Sequence, residues 1–215
     1  MPVIDGEDSD KMKDRLLIIG ASGHGRVVAD VARHVGRWET IAYLDDDVTK
    51  CNQSLVIVGR VSDSSNFISD SDFLVAIGDN AVREKIQKQL LAKGASMATL
   101  IHPYAIIGSD VSIGAGTVVM MGTVVNSGTN IGDGCIINTS SSIDHDNTIG
   151  DYVHISPGVR TAGNVSVGRG TWVGIGSVIS NNVSITTDCV LGAGSVVVKD
   201  IQLRGTYVGV PVRRI

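Results

Sequence analysis

The second half of the chain carries an aliphatic residue at every sixth position, and this period constrains the fold more than any other feature. The series runs from Ile101 to Val197 through seventeen positions without an insertion, and Thr161 is the one member that is not aliphatic. A period of six matches neither an α-helix nor an alternating β-strand. It does match a triangular solenoid with three short strands per coil, in which each side of the triangle turns one aliphatic side chain inward.

Glycine directly follows the aliphatic position in seven of these hexads, and a small or β-branched residue usually stands four positions after it. Such residues suit turns in which a side chain would crowd the next coil or in which φ is positive. Parallel coils stack at about 4.8 Å, the spacing of hydrogen-bonded strands. Because a single coil cannot bury its own core, several must stack, and the run is long enough for about five.

The first half of the chain has a different pattern, in which strands and helices alternate. Residues 15–19, 40–47 and 72–80 contain apolar runs typical of buried strands. Glycines introduce an amphipathic helical pattern within 20–35, and a second helical pattern covers 81–94. This order predicts a short parallel, Rossmann-like sheet with helices packed against it.

Sheets of this kind bind ligands at the carboxyl ends of their strands. The glycine spacing after the first strand is G-x-x-G-x-G, which does not meet the dinucleotide fingerprint. A glycine-rich turn before a helix still offers backbone N–H groups to an anion, although a tight strand–helix turn also needs glycine. Polar or glycine residues at this edge that are candidates for binding a nucleotide-type ligand are Gly20, Ser22, Gly23, His24, Asp45, Asp46 and Gly78.

Charge and cysteine content argue against several classes of protein. The net charge of −4 disfavours a nucleic-acid-binding protein, which usually has a basic face. The three distant cysteines form neither a disulfide framework nor a CxxC metal motif, and they favour a reducing compartment. The acidic first residues are unlike a signal peptide, and no apolar run approaches the roughly 20 residues needed to cross a bilayer. We therefore expect a cytoplasmic protein that binds neither nucleic acid nor membranes.

The stretch SIDHDNTIGDYVHIS places two histidines, His145 and His154, in consecutive hexads. His145 lies two residues after an inward aliphatic position, in a turn from which it can project outward. A neutral histidine is suited to accept a proton near neutral pH, and a carboxylate can fix its tautomer. Either Asp144 or Asp146 can do this, and a polar turn without a chemical role is the plainer alternative.

Several further pieces of the chain, taken together, resemble one family. They are the GASGHG loop, the DD after the second strand, IHPYAIIG, HISPG, AGNVSVG and the tail YVGVPVRRI. Over residues 15–215 the chain resembles the NeuD/PglD-type sugar O- and N-acyltransferases of the hexapeptide-repeat class. The resemblance implies a nucleotide-sugar-binding α/β domain over 15–98 after a flexible extension over 1–14. It implies a left-handed parallel β-helix over 99–215 that forms the acetyltransferase domain.

The resemblance also implies the activity and its machinery. The expected reaction moves an acetyl group from acetyl-CoA to the 4-amino group of a nucleotide-linked amino-dideoxy sugar, in a homotrimer with active sites between subunits and no metal. The expected general base is His145, oriented by Asp146, where the family often has the longer glutamate. The residues expected to bind acetyl-CoA, with Gly163 offering its N–H to the acetyl oxygen, are His154, Gly163, Gly174, Ile175, Val208, Pro211 and Arg213.

Three other functions compete with this interpretation. The first is a sialic-acid-type sugar O-acetyltransferase, since members of the family acylate either oxygen or nitrogen. The second is a zinc enzyme similar to γ-type carbonic anhydrases, which would need three histidines to converge between subunits, and the repeat half holds His102, His145 and His154. In the third, the N-terminal domain is an NAD-dependent sensor or a nucleotide-binding regulatory module, and the glycine spacing disfavours NAD.

Overall fold

A computed structural model describes residues 13–51 and 55–215 of the chain. The N-terminal extension predicted over residues 1–14 lies outside the described residues except for its last two positions. None of the helices in the described ranges has the length and apolar character that a membrane span requires. The described chain forms an α/β unit that is followed directly by a triangular β-helix.

The α/β unit contains a five-stranded parallel sheet in the order β3-β2-β1-β4-β5. Its strands are β1 (Arg15–Ile19), β2 (Thr40–Leu44), β3 (Ile57–Gly59), β4 (Ser71–Val75) and β5 (Ser96–Met97). Its helices are α1 (Gly23–Val35) and α2 (Asn80–Ala92), with two 3-10 helices at Val48–Lys50 and Val61–Phe67. The parallel sheet predicted from the sequence is present, while β3, β5 and the 3-10 helices were not predicted.

The glycines after β1 are needed for a close contact between the strand and the helix. The helix α1 already begins at Gly23, so Gly25 lies in its first turn and not in a preceding loop. A Cβ atom on Gly25 would lie 2.0 Å from the carbonyl oxygen of Gly20, which itself has a φ of +102°. The G-x-x-G-x-G spacing therefore serves this tight strand–helix turn, as its plainer interpretation proposed.

The β-helix contains seventeen two-residue parallel strands between Leu100 and Val197, arranged on three faces. The first face holds β6 (Leu100–Ile101), β9 (Val118–Val119), β12 (Ile136–Ile137), β15 (His154–Ile155), β18 (Trp172–Val173) and β21 (Val190–Leu191). The second face holds β7 (Ile106–Ile107), β10 (Val124–Val125), β13 (Ser142–Ile143), β16 (Arg160–Thr161), β19 (Val178–Ile179) and β22 (Val196–Val197). The third face holds β8 (Ser112–Ile113), β11 (Asn130–Ile131), β14 (Thr148–Ile149), β17 (Ser166–Val167) and β20 (Ser184–Ile185).

The second residue of each strand is the inward aliphatic residue of the hexad, and together these side chains form the core of the β-helix. The glycine that follows it allows the coils to approach closely, because a Cβ atom on Gly108 would lie 2.7 Å from the backbone nitrogen of Ser127. Positive φ angles occur two residues further on, at Gly116 (+74°) and its equivalents in other coils. Two positions in the hexad thus need glycine or a tolerant residue, for two different reasons.

The α/β unit covers part of the first face. The outward residues Leu100, Val118 and Ile136 belong to the same apolar cluster as the core of the α/β unit. In the next two coils the outward residues are His154, which is 9% exposed, and Trp172, which is 44% exposed. His154 therefore lies where the covered part of the first face meets the open part.

The helix α2 lies along the corner between the third and first faces. Asn80 Nδ2 donates to the carbonyl of Gly170 at 2.9 Å, and Gln87 Nε2 donates to that of Ala115 at 2.9 Å. Between these contacts Arg83, which is fully buried, reaches the same row of turns. Residues about one helical turn apart on α2 thus bond to successive turns along this corner of the β-helix.

The chain ends in a hairpin of β23 (Thr206–Gly209) and β24 (Val212–Arg214). β23 pairs with β21 in parallel and extends the first face, and β24 then pairs with β23 in antiparallel orientation. The side chain of Val208 packs over Gly192 in the preceding coil, since a Cβ atom on Gly192 would lie 2.7 Å from Cγ1 of Val208. The hairpin closes the otherwise open end of the first face.

We predict that the inward and outward residues of one strand differ sharply in their effect on stability. Ile179 is 0% exposed, and its replacement by alanine should lower the free energy of unfolding by about 2–5 kcal/mol, because a cavity opens in the core. The matched control is Val178→Ala on the same strand, where the 43% exposed side chain leaves no cavity. Urea unfolding of both variants measures the difference, and equal losses would contradict the assignment of inward and outward positions.

Candidate active site

The turn that carries His145 lies at the corner between the second and third faces, between β13 and β14. The Nδ1 atom of His145 lies 2.7 Å from Oδ2 of Asp146, and both side chains are more than half exposed. Asp146 takes up a left-handed backbone conformation (φ +58°), which turns its carboxylate back toward the ring of the preceding residue. The hydrogen bond that Nδ1 of His145 donates to Asp146 raises the pKa of His145 above its usual 6.5, and the charge of Asp144 adds a smaller contribution.

Asp144 faces away from the imidazole. Its Oδ1 atom accepts hydrogen bonds from Asn126 Nδ2 at 2.8 Å and from the backbone N–H of His145 at 2.9 Å. These two bonds lower the pKa of Asp144, the bond from Asn126 most strongly. The sequence left two carboxylates as candidates for orienting His145, and the geometry places Asp146 against the ring.

The buried residue beneath this turn is Asn147, which was not predicted as a site residue from the sequence. Its Nδ2 atom donates to the carbonyls of Asp144 at 2.7 Å, His145 at 3.1 Å and Ala162 at 3.0 Å. The equivalent residues one coil before and after are Thr129 and Val165, so a buried amide here interrupts a row of small or β-branched residues. That interruption is the signal from which the residue could have been found.

Gly163 lies in the next coil, directly under the ring of His145. A Cβ atom on Gly163 would lie 2.5 Å from Nε2 and 2.6 Å from Cε1 of that ring, so a larger residue would displace the ring from this position. Within the described chain the N–H of Gly163 donates to no backbone or side-chain acceptor. It is therefore a donor that is available next to His145.

His154 occupies the first face, where its ring stacks on that of Trp172 with centroids 5.6 Å apart and planes 6° from parallel. The amide oxygen of Asn138 accepts from the N–H of Thr139, so its Nδ2 atom faces Nε2 of His154 at 3.2 Å. The imidazole nitrogen Nε2 is then the acceptor, and Nδ1 carries the proton. Nδ1 is buried, and the nearby backbone carbonyl of Gly78 faces it without completing a hydrogen bond of regular geometry.

The environment of His154 keeps its ring neutral. Burial has the largest effect, and the positive charge of Arg83 and the nearby His24 add to it, while the carbonyl of Gly78 acts in the opposite direction. Together they lower the pKa of His154 to about 3. The two histidines of the original stretch therefore differ, because a carboxylate pairs with His145 whereas burial and a cation surround His154.

A cavity of about 420 Å³ opens beside His154 on the uncovered part of the first face. Its walls come from Trp172, Ile175 and neighbouring apolar residues of β21, with Gly174 and Gly192 at its floor. Three glycines with positive φ lie beside this cavity, at the corner between the first and second faces: Gly158, Gly176 and Gly194. A Cβ atom added to any of them would meet nothing within 4 Å, so this corner is smooth and open. The residues before these glycines line the cavity, and we call the cavity and the corner together the groove.

The loops at the carboxyl edge of the α/β sheet converge, as the sequence predicted. Asp45 Oδ2 accepts from the N–H of Ala21 at 2.7 Å, and Gly20 donates to the carbonyl of Leu44. Asp45 also accepts from Lys50 at 3.1 Å and from the backbone of the following loop. Burial alone would raise the pKa of Asp45, but these hydrogen bonds lower it overall. The carboxylate of Asp45 thus joins two loops of the edge.

The loops at this edge are open to solvent or have free space at Ser22, Gly23, Asp46 and Gly78. Ser22 is the N-cap of α1 but its side chain makes no capping hydrogen bond, and Gly23 beside it is exposed. At Gly78, an added Cβ atom would meet nothing within 4 Å. Asp46 is exposed and accepts from the N–H of Val61 at 3.1 Å.

His24 connects this edge to the β-helix. Burial, followed by the charge of Arg83, lowers the pKa of His24 to about 4. Its Nε2 atom is buried and has no hydrogen-bond partner within the described chain. Because His24 also contributes to the lowered pKa of His154, the first turn of α1 faces the first face of the β-helix near that residue.

The structure does not bring all predicted site residues together within one chain. His145 and Gly163 share the corner between the second and third faces, whereas His154 lies on the first face. His102 lies in a third place, in the first coil against His34 of α1, with ring centroids 4.9 Å apart. The three histidines considered for zinc are therefore separate in a single chain.

The predicted acetyl-CoA residues at the end of the chain are also apart from His154. Pro211 and Arg213 line a different cavity of about 230 Å³ with Lys199 and Tyr207, and Val208 packs on Gly192 between the two cavities. Gly174 and Ile175 line the cavity beside His154.

The first half of the chain matches a known domain family. The model of the PglD N-terminal domain matches residues 15–90. UDP-N-acetylbacillosamine N-acetyltransferase of Bacillus subtilis is 37% identical over 107 residues, which make up 48% of this chain and 50% of that protein. The match thus spans about half the length of this curated relative.

Solved structures match nearly the whole chain. The acetyltransferase domain of PglB from Neisseria gonorrhoeae is 35% identical and superposes with a TM-score of 0.92, covering 94% of this chain and 100% of that one. The same domain has also been solved with acetyl coenzyme A. PerB from Caulobacter crescentus, solved with CoA and GDP-perosamine, is 34% identical with a TM-score of 0.88, covering 93% of this chain and 96% of that one. These matches confirm the predicted fold class, an α/β domain followed by a left-handed parallel β-helix.

We predict that Asp146 is the residue that sets the protonation of His145. In wild-type protein the ring of His145 should titrate above pH 6.5, and Asp146→Asn should move that midpoint down, because it removes the hydrogen bond to protonated Nδ1. NMR titration of the histidine Cε1–H signals measures both midpoints. Asp144→Asn is the matched control and should cause a smaller downward shift, since Asp144 acts on the ring through its charge alone. A larger shift in the control would assign the orienting role to Asp144.

Proposed function

The chain belongs to the NeuD/PglD-type sugar acyltransferases, and we propose that it transfers the acetyl group of acetyl-CoA to the 4-amino group of a nucleotide-linked amino-dideoxy sugar. Proteins similar to it over most of the chain include the perosamine N-acetyltransferase of Caulobacter crescentus, solved with CoA and GDP-perosamine. The observation that carries the proposal is the hydrogen bond between His145 and Asp146 at an exposed corner of the β-helix. It supplies a base where a small acceptor molecule can reach it.

The proposed reaction begins with His145 in its neutral form. Asp146 holds the proton on Nδ1, so that the lone pair of Nε2 faces outward and can accept a proton from the amine. The amine nitrogen forms a bond to the thioester carbonyl carbon, and the carbon–sulfur bond breaks. The imidazolium of His145 then returns its proton to the departing thiolate of CoA. General-base assistance of this kind typically contributes about 10²–10⁴ in rate.

The groove beside His154 fits the thioester end of acetyl-CoA. Its apolar walls and smooth glycine corner suit an extended thioalkyl chain, and the ring of His154 lies at its edge, where the thioester can contact it. Burial and Arg83 keep this ring neutral at neutral pH, and its buried Nδ1–H faces the carbonyl of Gly78. The N–H of Gly163 is the proposed donor for the acetyl oxygen. The cavity lined by Pro211 and Arg213 is the proposed site for the polar end of CoA.

The carboxyl edge of the α/β sheet is the proposed site for the nucleotide sugar. The first turn of α1 has no acidic residue, and its free backbone N–H groups suit a diphosphate. Ser22, Gly23 and Gly78 leave the space and the donors for it, and His24 directs the ligand toward the β-helix. Asp46 is exposed beside the second strand and can accept from ribose or base donors, whereas Asp45 contributes by fixing the two loops.

A site assembled from two chains follows from the positions of these residues. The nucleotide-sugar edge and His154 meet on the first face, but His145 lies on the opposite corner of the same chain. We therefore propose that the base comes from a neighbouring chain in a homotrimer. The exposure of His145 and Asp146 in the single chain leaves them accessible to such a partner.

We predict that His145→Ala lowers kcat at least ~10²-fold while CoA still binds, because the base is lost but the groove is intact. Asp146→Asn should lose less and should move the acidic limb of the pH–rate profile to lower pH, since Asp146 raises the pKa of His145. In wild type, activity should rise with pH through a limb above the usual histidine pKa. Release of CoA measured with a thiol reagent follows turnover, and near-normal turnover in His145→Ala would remove His145 as the base.

The acceptor is identified by an assay with matched compounds. Acetyl-CoA is combined with UDP-, dTDP- and GDP-linked 4-amino-dideoxy sugars and with the corresponding 4-hydroxy sugars and an acylneuraminate. CoA release with an amino sugar alone supports the proposed N-acetyltransferase, whereas release with the hydroxylated compounds supports the O-acetyltransferase alternative. Metal analysis of the same preparation tests the zinc alternative, which stoichiometric zinc would favour.

We predict that two inactive variants restore activity when they are mixed. If each site uses His145 of one chain and His154 of its neighbour, refolding His145→Ala with His154→Ala in equal amounts should recover roughly a quarter of the wild-type sites in a trimer of random composition. Each variant refolded alone is the control. A mixture no more active than its parts would place the complete site within one chain.

A further inference from the structure

We propose that Arg83 is a positioning residue that fixes the loop after β4, which contains Gly78, against the strand that carries His154. This inference rests on the proposed function, because it concerns how the sugar-binding edge and the thioester groove are held in register. Arg83 is buried and reaches the proposed sugar site through the backbone carbonyl of Gly78. It acts through the backbone segments that it joins.

All five N–H donors of the Arg83 side chain are directed at oxygen atoms of two different units. On the α/β side, Nη1 donates to the carbonyls of Ile77 at 2.9 Å and Gly78 at 3.2 Å, and Nη2 donates to Asn80 Oδ1 at 2.8 Å. On the β-helix side, Nε donates to the carbonyl of Gly134 at 2.6 Å, and Nη2 donates to that of Tyr152 at 2.9 Å. One rigid, planar group thereby sets the separation of the two units.

The segments at the two ends of Arg83 are those that matter for the proposed reaction. Gly78 follows β4 at the carboxyl edge, and Tyr152 lies two residues before His154 in the turn that leads into β15. The contact that Gln87 makes does not have this property, since Gln87 reaches Ala115, which lies two coils before Tyr152. A displacement at Arg83 would thus move the sugar loop relative to the thioester groove.

Arg83 also places a positive charge beside the two buried histidines. The side chain of Arg83 is 1% exposed, and within the described chain it donates its hydrogen bonds to carbonyl and amide oxygens and not to a carboxylate. Burial lowers the pKa of Arg83 to about 10, so it stays protonated at neutral pH. The groups that face His154 from the packed elements are Arg83 of α2 and His24 of α1, with the carbonyl of Gly78. Burial is the largest cause of the lowered pKa of both histidines, and the charge of Arg83 adds to it, so both rings stay neutral at neutral pH.

A purely structural link between two domains is the alternative, and the variants are chosen to separate it from positioning. Arg83→Met removes the charge and all five donors, whereas Arg83→Lys keeps the charge but cannot reach the five oxygens with one ammonium group. Gln87→Met is the matched control, because it removes an interdomain hydrogen bond from the same helix without touching the Gly78 loop. Urea unfolding places the three variants on one scale of stability.

We expect Arg83→Met and Arg83→Lys to lose about 10–100-fold in kcat with little change in the Kd for CoA, because a misplacement of about 1 Å can cost roughly 10²-fold in rate. Gln87→Met should keep kcat within about 3-fold, as expected for a residue outside the aligned segments. NMR titration should show the midpoint of His154 rising in Arg83→Met but staying low in Arg83→Lys, since lysine retains the charge. If Arg83 had only a structural role, the titration midpoint of His154 would not differ between Arg83→Met and Arg83→Lys.

The inference is overturned if both Arg83 variants lose no more kcat than Gln87→Met at matched stability, or if the His154 midpoint is the same in wild type and Arg83→Met. If Arg83→Met does not fold, Arg83→Lys decides, and full kcat in that variant overturns the inference. Failure of the proposed function is a separate result. In that case no acceptor releases CoA in the wild type, while the His154 titration still tests the effect of Arg83.

Discussion

The uninterrupted six-residue register of the β-helix is the constraint on which the rest of the structure depends. Because no residue is inserted between Leu100 and Val197, each side chain lies directly against the side chains of the same position in the neighbouring coils. Gly163 therefore lies under His145, and Trp172 stacks on His154. The three corners also form straight rows, along which a helix such as α2 can bond to one turn per coil.

Periodicity predicted the parts of the molecule in which one physical rule is repeated. Burial patterns in the sequence predict the inward aliphatic positions and the seventeen short strands. They also predict the alternation of strands and helices along the α/β unit. Short elements such as β5 and the C-terminal hairpin have too few residues to show a period. Arg83 was missed for a different reason, because a charged residue in a helix is ordinarily assigned to solvent, and nothing local indicates that a second domain covers it. Asn147, by contrast, was detectable as a buried amide in a row of valine and threonine.

The nine-residue spacing of His145 and His154 shows what a sequence interpretation can leave out. The two residues are close in the chain and were interpreted as one centre. Nine residues are one and a half hexads, however, which carries the chain from a corner past one complete face and onto the outward surface of the next. The period itself contains this information, and the separation follows once the hexads are folded into a triangle. What the period does not contain is which face the α/β unit covers, and that decides which histidine is buried.

The opposite environments of the two histidines give a physical reason for a site shared between chains. A base must exchange protons near neutral pH, and the carboxylate of Asp146 at an exposed corner favours the protonated form enough to allow it. Burial beside Arg83 instead keeps His154 neutral at that pH. The covering domain that buries His154 would equally bury a base placed next to it and lower its pKa. In the proposed trimer, the exposed corner of one chain meets the rim of the covered face of the next, so each histidine retains the environment that its role requires.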